Sequence, residues 1–205
     1  MIAETEGVIK FNLTFHTDRV VGVDVVELSA WRTVLKDLGL LGQIPGRYDG
    51  YGFGNISQRC SSGFVISGTQ TGELDAVTLD DYAVCETWDL QRNAVDAKGA
   101  VKPSSESLSH ASIYDVHESV TCALHAHSPD IWRNSVELGI SVTDESVAYG
   151  TPEMAKEVRR LITDMDSPGI FSMGGHEDGV FTFGRSLVDA GQLMVRELVR
   201  ARALR

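Results

Sequence analysis

The sequence predicts a layered α/β or α+β fold in a single domain that spans residues 1–205. Strand-like and helix-like segments are intermixed along the whole chain, which indicates a sheet covered by helices. No internal repeat, low-complexity tract or linker divides the chain. With 42% hydrophobic and 23% charged residues, its composition is that of a folded protein rather than a disordered segment.

The predicted strands follow from short apolar runs and from alternation. Apolar and polar residues alternate over residues 9–15, which is typical of a half-buried strand. A glycine-rich passage at residues 46–60 is interpreted as a loop between strands. Further strands are predicted at residues 64–67, 82–88, 120–127, 170–173 and 180–183.

The predicted helices follow from apolar spacing and from capping residues. Apolar residues recur at helical spacing from Leu28 to Leu38, and Gly42 is a natural end. Ser104 or Ser105 is predicted to cap a helix that runs to residue 117. Ser128 before Pro129 indicates a second cap. Two more helices are predicted at residues 152–162 and 186–203.

Charge and cysteine content limit the classes of partner. A net charge of −11 argues against nucleic acid and against an anionic membrane surface. No apolar run approaches the ~18 residues of a membrane span, and the acidic N-terminus lacks the apolar core of a signal peptide. Three widely spaced cysteines favour reduced thiols and a cytoplasmic protein. An anionic small substrate would need a local positive centre, such as a metal ion.

The segment CALHAHSPD, residues 122–130, carries two histidines one residue apart. In a strand His125 and His127 project from one face, while Leu124 and Ala126 point to the other. Two imidazoles on one face can bind the same metal ion. Taken alone, such a pair is more often two histidines that are hydrogen-bonded or solvated at a strand end than a metal site.

Other candidate residues are also ambiguous when taken singly. Glu106 suits an acid at a helix N-terminus, and His110, four residues later, suits a structural hydrogen bond. His176, in GGHEDG, has the setting of a surface-loop histidine. The glycines before Asn55 either let backbone amides approach an anion or form a tight structural turn.

In order, these motifs resemble the class II aldolase/adducin family. The resemblance rests on GNIS (residues 54–57), FVISGTQTG (64–72), KPSSE (102–106), HAHSP (125–129) and the late His176. It extends from the helix near residue 25 almost to the last residue. It implies a central, mainly antiparallel sheet flanked by helices in three α-β-α layers. It also implies a homotetramer.

The resemblance assigns two sets of site residues. The implied ligands of Zn²⁺, or of another divalent metal, are Glu106, His125, His127 and His176. The implied phosphate pocket is lined by Gly54, Asn55, Thr71, Gly72, Ser104 and Ser105. A shifted alignment would place Ser67 and Gly68 in the role of Thr71 and Gly72.

The implied activity is that of a zinc-dependent, aldolase-type lyase. Its substrate would be a small phosphorylated ketose or a related hydroxy-carbonyl compound, cleaved through a metal-stabilised enediolate, with Glu106 as the acid and base. One alternative is an epimerase or dehydratase that uses the same site. Another is a non-catalytic, adducin-like interaction module, which the presence of all four candidate ligands disfavours.

Two departures from the family pattern affect the expected chemistry. Glu177 and Asp178 follow the late histidine and would repel an anionic substrate or recruit a cation. The family's catalytic tyrosine segments have no clear counterpart. Tyr149 is left without a role, and the sequence given ends in a helix at Arg205. We therefore expect an intact metal site with fewer side chains available for acid and base catalysis.

Overall fold

The computed structural model describes residues 7–204. Its strands are β1 (Asn12–Thr17), β2 (Gly42–Gln43), β3 (Gly52–Phe53), β4 (Asn55–Cys60), β5 (Gly63–Ser67), β6 (Tyr82–Asp89), β7 (Ala94–Gly99), β8 (Cys122–His127), β9 (Ser141–Val142), β10 (Gly169–Ser172) and β11 (Gly179–Gly184). Its α-helices are α1 (Val26–Asp37), α2 (Ser107–Val116), α3 (Pro129–Arg133), α4 (Ser135–Leu138), α5 (Pro152–Ile162) and α6 (Leu187–Arg202).

Nine strands form one mixed sheet in the order β1-β7-β6-β5-β4-β8-β11-β10-β9. The two outermost pairs, β1–β7 and β9–β10, are parallel, and every pair between them is antiparallel. β2 and β3 pair in a separate two-stranded ribbon. The expected sheet of mainly antiparallel strands is confirmed.

Helices cover both faces of this sheet. Leu124 and Ala126 of β8 belong to a core that includes residues of α1 and α6. Ala123 of β8 belongs to a second core, to which α2 and α5 contribute. Because both faces are covered, every residue of β8 and of β11 is buried. The expected three α-β-α layers are confirmed.

Side-chain caps account for several helix starts. The Thr151 hydroxyl accepts a hydrogen bond from the Met154 amide at 3.2 Å, and Pro152 follows in the first turn of α5. Ser128 caps α3 in the same way, as predicted from the Ser-Pro pair. The Ser186 hydroxyl caps α6. Because such signals are local, the bounds of α5 agree with the prediction.

The prediction that Ser104 or Ser105 caps α2 is wrong. Glu106 occupies the cap position, and its side chain makes no capping hydrogen bond. Its amide donates to the Ser104 hydroxyl at 3.3 Å, and the Ser107 amide donates to the Ser104 carbonyl at 3.2 Å. The two serines therefore form a turn before the helix, and the Glu106 carboxylate remains available for other contacts.

Three further differences concern strands. The glycine-rich passage at residues 46–60 contains β3 and β4, so it is only partly a loop. The first strand begins at Asn12, later than the alternation suggested. β7 was not predicted, because Val95 is its only strong strand former and the residues after it are Asp96, Ala97, Lys98 and Gly99.

Two further findings concern the cysteines and the hydrophobicity of the helices. Cys60, Cys85 and Cys122 are free thiols, and the last two are buried. Across residues 7–204, none of the helices combines the length and the hydrophobicity that a bilayer crossing requires.

Candidate metal centre

Three buried histidines converge at one end of the central strands. His125 and His127 project from β8 on the sheet face opposite Leu124 and Ala126, and His176 lies in the turn between β10 and β11. One ring nitrogen of each histidine lies within 4.8 Å of the others. His176 is 2% exposed, so its interpretation as a surface-loop residue is wrong. The turn folds it inward over β8.

Glycine makes this convergence possible. Gly179 lies opposite His127 in the β8–β11 ladder, and its amide donates to the His176 carbonyl at 3.0 Å. A Cβ atom at position 179 would stand 2.7 Å from His176 Cδ2 and 3.3 Å from His125 Cε1. The absence of a side chain here lets the two imidazoles approach each other.

Glu106 brings a carboxylate to the same cluster. Its Oε1 lies 3.8 Å from His176 Nε2, and the Ser109 hydroxyl donates to its Oε2 at 2.8 Å. The residue is 1% exposed. The structure therefore places Glu106 beside His176 at the edge of the histidine cluster, although these four residues come from three separate segments of the chain.

The protonation state of the cluster suits a divalent metal. Burial lowers the pKa of His125 and of His127 well below the ordinary value, and the neighbouring His176 lowers both further. Neutral imidazoles present the lone pairs that metal binding requires. Three imidazole nitrogens and one carboxylate oxygen form a donor set that fits a divalent cation such as Zn²⁺.

A polar pocket adjoins the cluster. All six residues predicted to hold phosphate line it, namely Gly54, Asn55, Thr71, Gly72, Ser104 and Ser105. Ser67 and Gly68, the alternative pair, line it as well. Gly54 has φ +72°, and a Cβ there would lie 3.0 Å from the His125 carbonyl oxygen. This close approach brings the pocket wall against β8.

Arg32 is a pocket residue that the sequence analysis missed. It lies between Leu28 and Leu35 on the buried stripe of α1 and is 1% exposed. Its guanidinium donates to the carbonyls of Thr71 at 2.6 Å and Leu74 at 3.0 Å. A charged residue within an apolar helical stripe was the available signal. Thr69 and Gln70 also line the pocket and were not predicted.

Tyr48 and Asp178 border the histidines on one side. The Tyr48 ring contacts that of His127 at 4.6 Å between centroids, and its hydroxyl donates to Asp178 Oδ2 at 2.7 Å. Arg47 donates to the same hydroxyl at 2.8 Å. Burial and Asp178 raise the pKa of Tyr48, which keeps this donor protonated. Glu177 is exposed, so only one of the two expected carboxylates is buried near the cluster.

Tyr149 borders the cluster on another side. It is fully buried, and its ring lies 4.5 Å from that of His176. The ammonium of Lys10 stands 3.5 Å from the centre of the Tyr149 ring. The residue that the sequence left without a role is therefore in direct contact with a candidate metal ligand.

Comparison with known proteins gives a consistent result. Residues 46–201 match the model of the family described as Class II Aldolase and Adducin N-terminal domain. The fold is similar to that of L-fuculose-1-phosphate aldolase from Thermus thermophilus, at 20% identity and TM-score 0.64 over 86% of this chain and 89% of that one.

Two further solved structures share this fold. A sugar-phosphate aldolase from Thermotoga maritima matches at 15% identity and TM-score 0.65, over 87% of this chain and 91% of that one. YgbL from Klebsiella pneumoniae, a proposed aldolase/epimerase/decarboxylase, matches at 17% identity and TM-score 0.66. The match covers 87% of this chain and 86% of that one. The match of the family model over most of the sequence establishes that this chain belongs to the class II aldolase and adducin N-terminal domain family.

Proposed function

We propose that this protein is a zinc-dependent, aldolase-type lyase that cleaves a carbon–carbon bond in a small phosphorylated ketose or a related hydroxy-carbonyl compound. The observation that carries the proposal is the buried cluster of His125, His127 and His176, with the Glu106 carboxylate 3.8 Å from His176. Membership of the aldolase family supports it, as do the relatives that are named as sugar-phosphate aldolases.

Glu106, His125, His127 and His176 would hold the cation. A bound divalent cation would draw electron density from a substrate carbonyl and so favour loss of a neighbouring proton or cleavage of the adjacent bond. The Glu106 carboxylate is assigned the proton transfer, because the Ser109 hydroxyl bonds to one of its oxygens and leaves the other facing His176.

The adjoining pocket is assigned to the phosphate group. Ser104 and Ser105 offer hydroxyl groups, Asn55 offers an amide, and Arg32 supplies a positive charge within a protein of net charge −11. The pocket would thereby offer an anionic substrate a local positive charge, although the protein as a whole is negatively charged. The exposed position of Glu177 reduces the repulsion that its sequence position suggested.

The proposal includes a cytoplasmic location and a homotetramer. The three free thiols support the location. The assembly rests on the family resemblance alone, and light scattering of the purified protein tests it. An epimerase or dehydratase that uses the same site remains an outcome of the experiments below.

The first experiment measures metal content of the purified protein by plasma mass spectrometry. We expect about one zinc ion per chain in the wild-type protein. In His125→Ala we expect the zinc content to be lower by about tenfold or more. His16→Ala is the matched control, because His16 lies on β1 with an exposed side chain far from the cluster in the sheet order. Absence of stoichiometric metal from the wild-type protein contradicts the proposal.

The second experiment measures turnover. The metal-loaded protein is incubated with a panel of ketose phosphates, and dihydroxyacetone phosphate is detected with a coupled enzyme. Formation of this product from one substrate, and its loss in Glu106→Gln, support the lyase. Epimerised or dehydrated product without cleavage supports the alternative, and no change in any substrate contradicts both enzymatic functions.

A further inference from the structure

The side chain of Asn55 is held from behind by a buried chain of hydrogen bonds. His110 Nε2 lies 2.5 Å from Asn55 Oδ1, and His110 Nδ1 lies 2.6 Å from the Ser57 hydroxyl. The Ser57 hydroxyl in turn lies 2.6 Å from the Tyr114 hydroxyl. His110 and Ser57 are completely buried, and Tyr114 is 2% exposed.

The chemistry of the first link sets the direction of the whole chain. An amide oxygen only accepts hydrogen bonds, so His110 Nε2 must carry the proton that it donates to Asn55 Oδ1. Burial lowers the pKa of His110 to about 3, which keeps the ring neutral. His110 Nδ1 therefore has no proton and accepts one from the Ser57 hydroxyl. Ser57 can donate only once, so Tyr114 donates to Ser57.

In this arrangement the NH₂ end of the Asn55 amide faces the pocket. With Oδ1 occupied by His110, the Nδ2 group is the part left to line the pocket with Ser104 and Ser105. Within residues 7–204, no protein group accepts a hydrogen bond from Nδ2. If the amide were reversed, it would present an acceptor to the pocket and place its Nδ2 group against the His110 donor.

We propose that His110 is a positioning residue that fixes the Asn55 amide with its NH₂ group toward the pocket, and thereby makes the pocket selective for an oxyanion such as phosphate. This inference rests on the proposed function for its ligand class. His110 itself lines no part of the pocket. It acts through Asn55, with Ser57 and Tyr114 fixing its tautomer.

The first test needs no variant. Nitrogen-15 NMR of histidine-labelled protein reports which ring nitrogen carries the proton. We expect His110 as the neutral Nε2–H tautomer at pH 7. A proton on Nδ1 overturns the inference, because Asn55 would then have to turn its NH₂ group toward His110.

The second test compares two substitutions of similar size. The Gln amide nitrogen can reach the position of His110 Nε2, whereas the shorter Asn reaches only the region of Nδ1. We expect His110→Gln to keep the affinity for inorganic phosphate within about threefold of the wild type, and His110→Asn to lose about tenfold or more, measured by calorimetry. Metal content measured in parallel should be unchanged in both.

Asn55→Ala defines how much phosphate binding belongs to this pocket. Phosphate bound equally well by wild type and Asn55→Ala, or by wild type and His110→Asn, overturns the inference, as does the absence of phosphate binding to the wild type. Tyr114→Phe keeps His110 but removes the hydroxyl that donates to Ser57, and it should also weaken phosphate binding. This variant replaces the His110 variants in the comparison if those do not fold. Because no readout is turnover, failure of the proposed lyase activity is distinguishable from failure of this inference.

Discussion

Asn55 and His125 lie directly opposite each other in the antiparallel ladder between β4 and β8. One residue lines the polar pocket and the other belongs to the histidine cluster, so a single ladder position joins the two halves of the candidate site. Both strands lie inside the sheet with neighbours on either side. A ligand that spans the pocket and the cluster would therefore contact two strands that are hydrogen-bonded on both sides.

Ser109→Ala should weaken metal binding while the protein remains folded. The Ser109 hydroxyl donates to Glu106 Oε2 at 2.8 Å and so orients the carboxylate. Loss of such a supporting hydrogen bond typically lowers metal affinity by about 10- to 100-fold. Competition with a fluorescent zinc chelator measures the effect. Ser112→Ala, one turn further along α2, is the matched control, because the Ser112 hydroxyl donates only to a backbone carbonyl.

Gly179→Ala should disrupt the cluster by steric pressure alone. The new methyl group would stand 2.7 Å from His176 Cδ2, closer than non-bonded carbon atoms allow. We expect a loss of metal affinity of about tenfold or more, with circular dichroism close to that of the wild type. In Gly52→Ala, by contrast, the nearest contacts of the methyl group would be 3.7 Å. Equal metal affinity in the wild type and Gly179→Ala would contradict the arrangement described here.

Acid should destabilise the protein partly through His110. Its pKa is about 3 in the folded state and near 6.5 in the unfolded chain, so between these values the unfolded state binds the extra proton. The free energy of unfolding should fall as pH drops through this interval, by about 1.4 kcal/mol per pH unit from this group. His125 and His127 contribute in the same direction.

The contribution of His110 can be isolated with His110→Gln. Urea unfolding of the metal-free proteins between pH 6 and pH 4.5 should give a shallower dependence on pH for the variant than for the wild type. Identical slopes would mean that His110 is protonated in the folded state, contrary to the hydrogen bond that its Nδ1 accepts from the Ser57 hydroxyl.

Arg32→Met should destabilise the fold and weaken phosphate binding. The substitution keeps much of the side-chain volume but removes the side-chain donor to the Leu74 carbonyl and one of the two donors to the Thr71 carbonyl, which still accepts from the Leu74 amide. We expect a cost of about 2–4 kcal/mol in the free energy of unfolding. Arg92→Met is the control, because the Arg92 side chain is largely exposed and should change stability little. Similar unfolding midpoints for both variants would contradict the role assigned to Arg32.

Tyr48→Phe should destabilise the fold by about 1–3 kcal/mol, because it removes the hydroxyl that donates to a carboxylate 5% exposed. Tyr51→Phe, at an exposed neighbouring position, is the matched control. The two variants are compared by urea unfolding. An unfolding curve for Tyr48→Phe that coincides with that of Tyr51→Phe would indicate that the Asp178 carboxylate is stable without this donor.

Local signals in the sequence predicted the elements that depend on local chemistry. The Thr-Pro start of α5 and the Ser-Pro start of α3 each specify a helix N-terminus within a few residues. β7 could not be predicted in this way, because its residues become a strand only through pairing with β1 and β6. The β8 strand was recognisable because it begins with the apolar run Cys122–Leu124.

In the candidate site, too, the features that depend on local sequence were predictable and those that depend on long-range contacts were not. Strand periodicity places His125 and His127 on one face, but it cannot bring in His176 or Glu106, which reach the cluster through the pairing of β8 with β11 and through the turn before α2. Those two were named from the family resemblance. The position of Arg32 at the pocket and the contact between His110 and Asn55 were not predicted, because each depends on contacts between residues more than 35 positions apart.

Helix α2 carries Glu106 at its start, Ser109 in its first turn and His110 directly after it. One rigid segment therefore supports both the carboxylate of the metal cluster and the residue behind the pocket amide. A displacement of this helix would shift both subsites together. By thermodynamic reciprocity, any factor by which bound phosphate changes the affinity for metal is the same factor by which metal changes the affinity for phosphate.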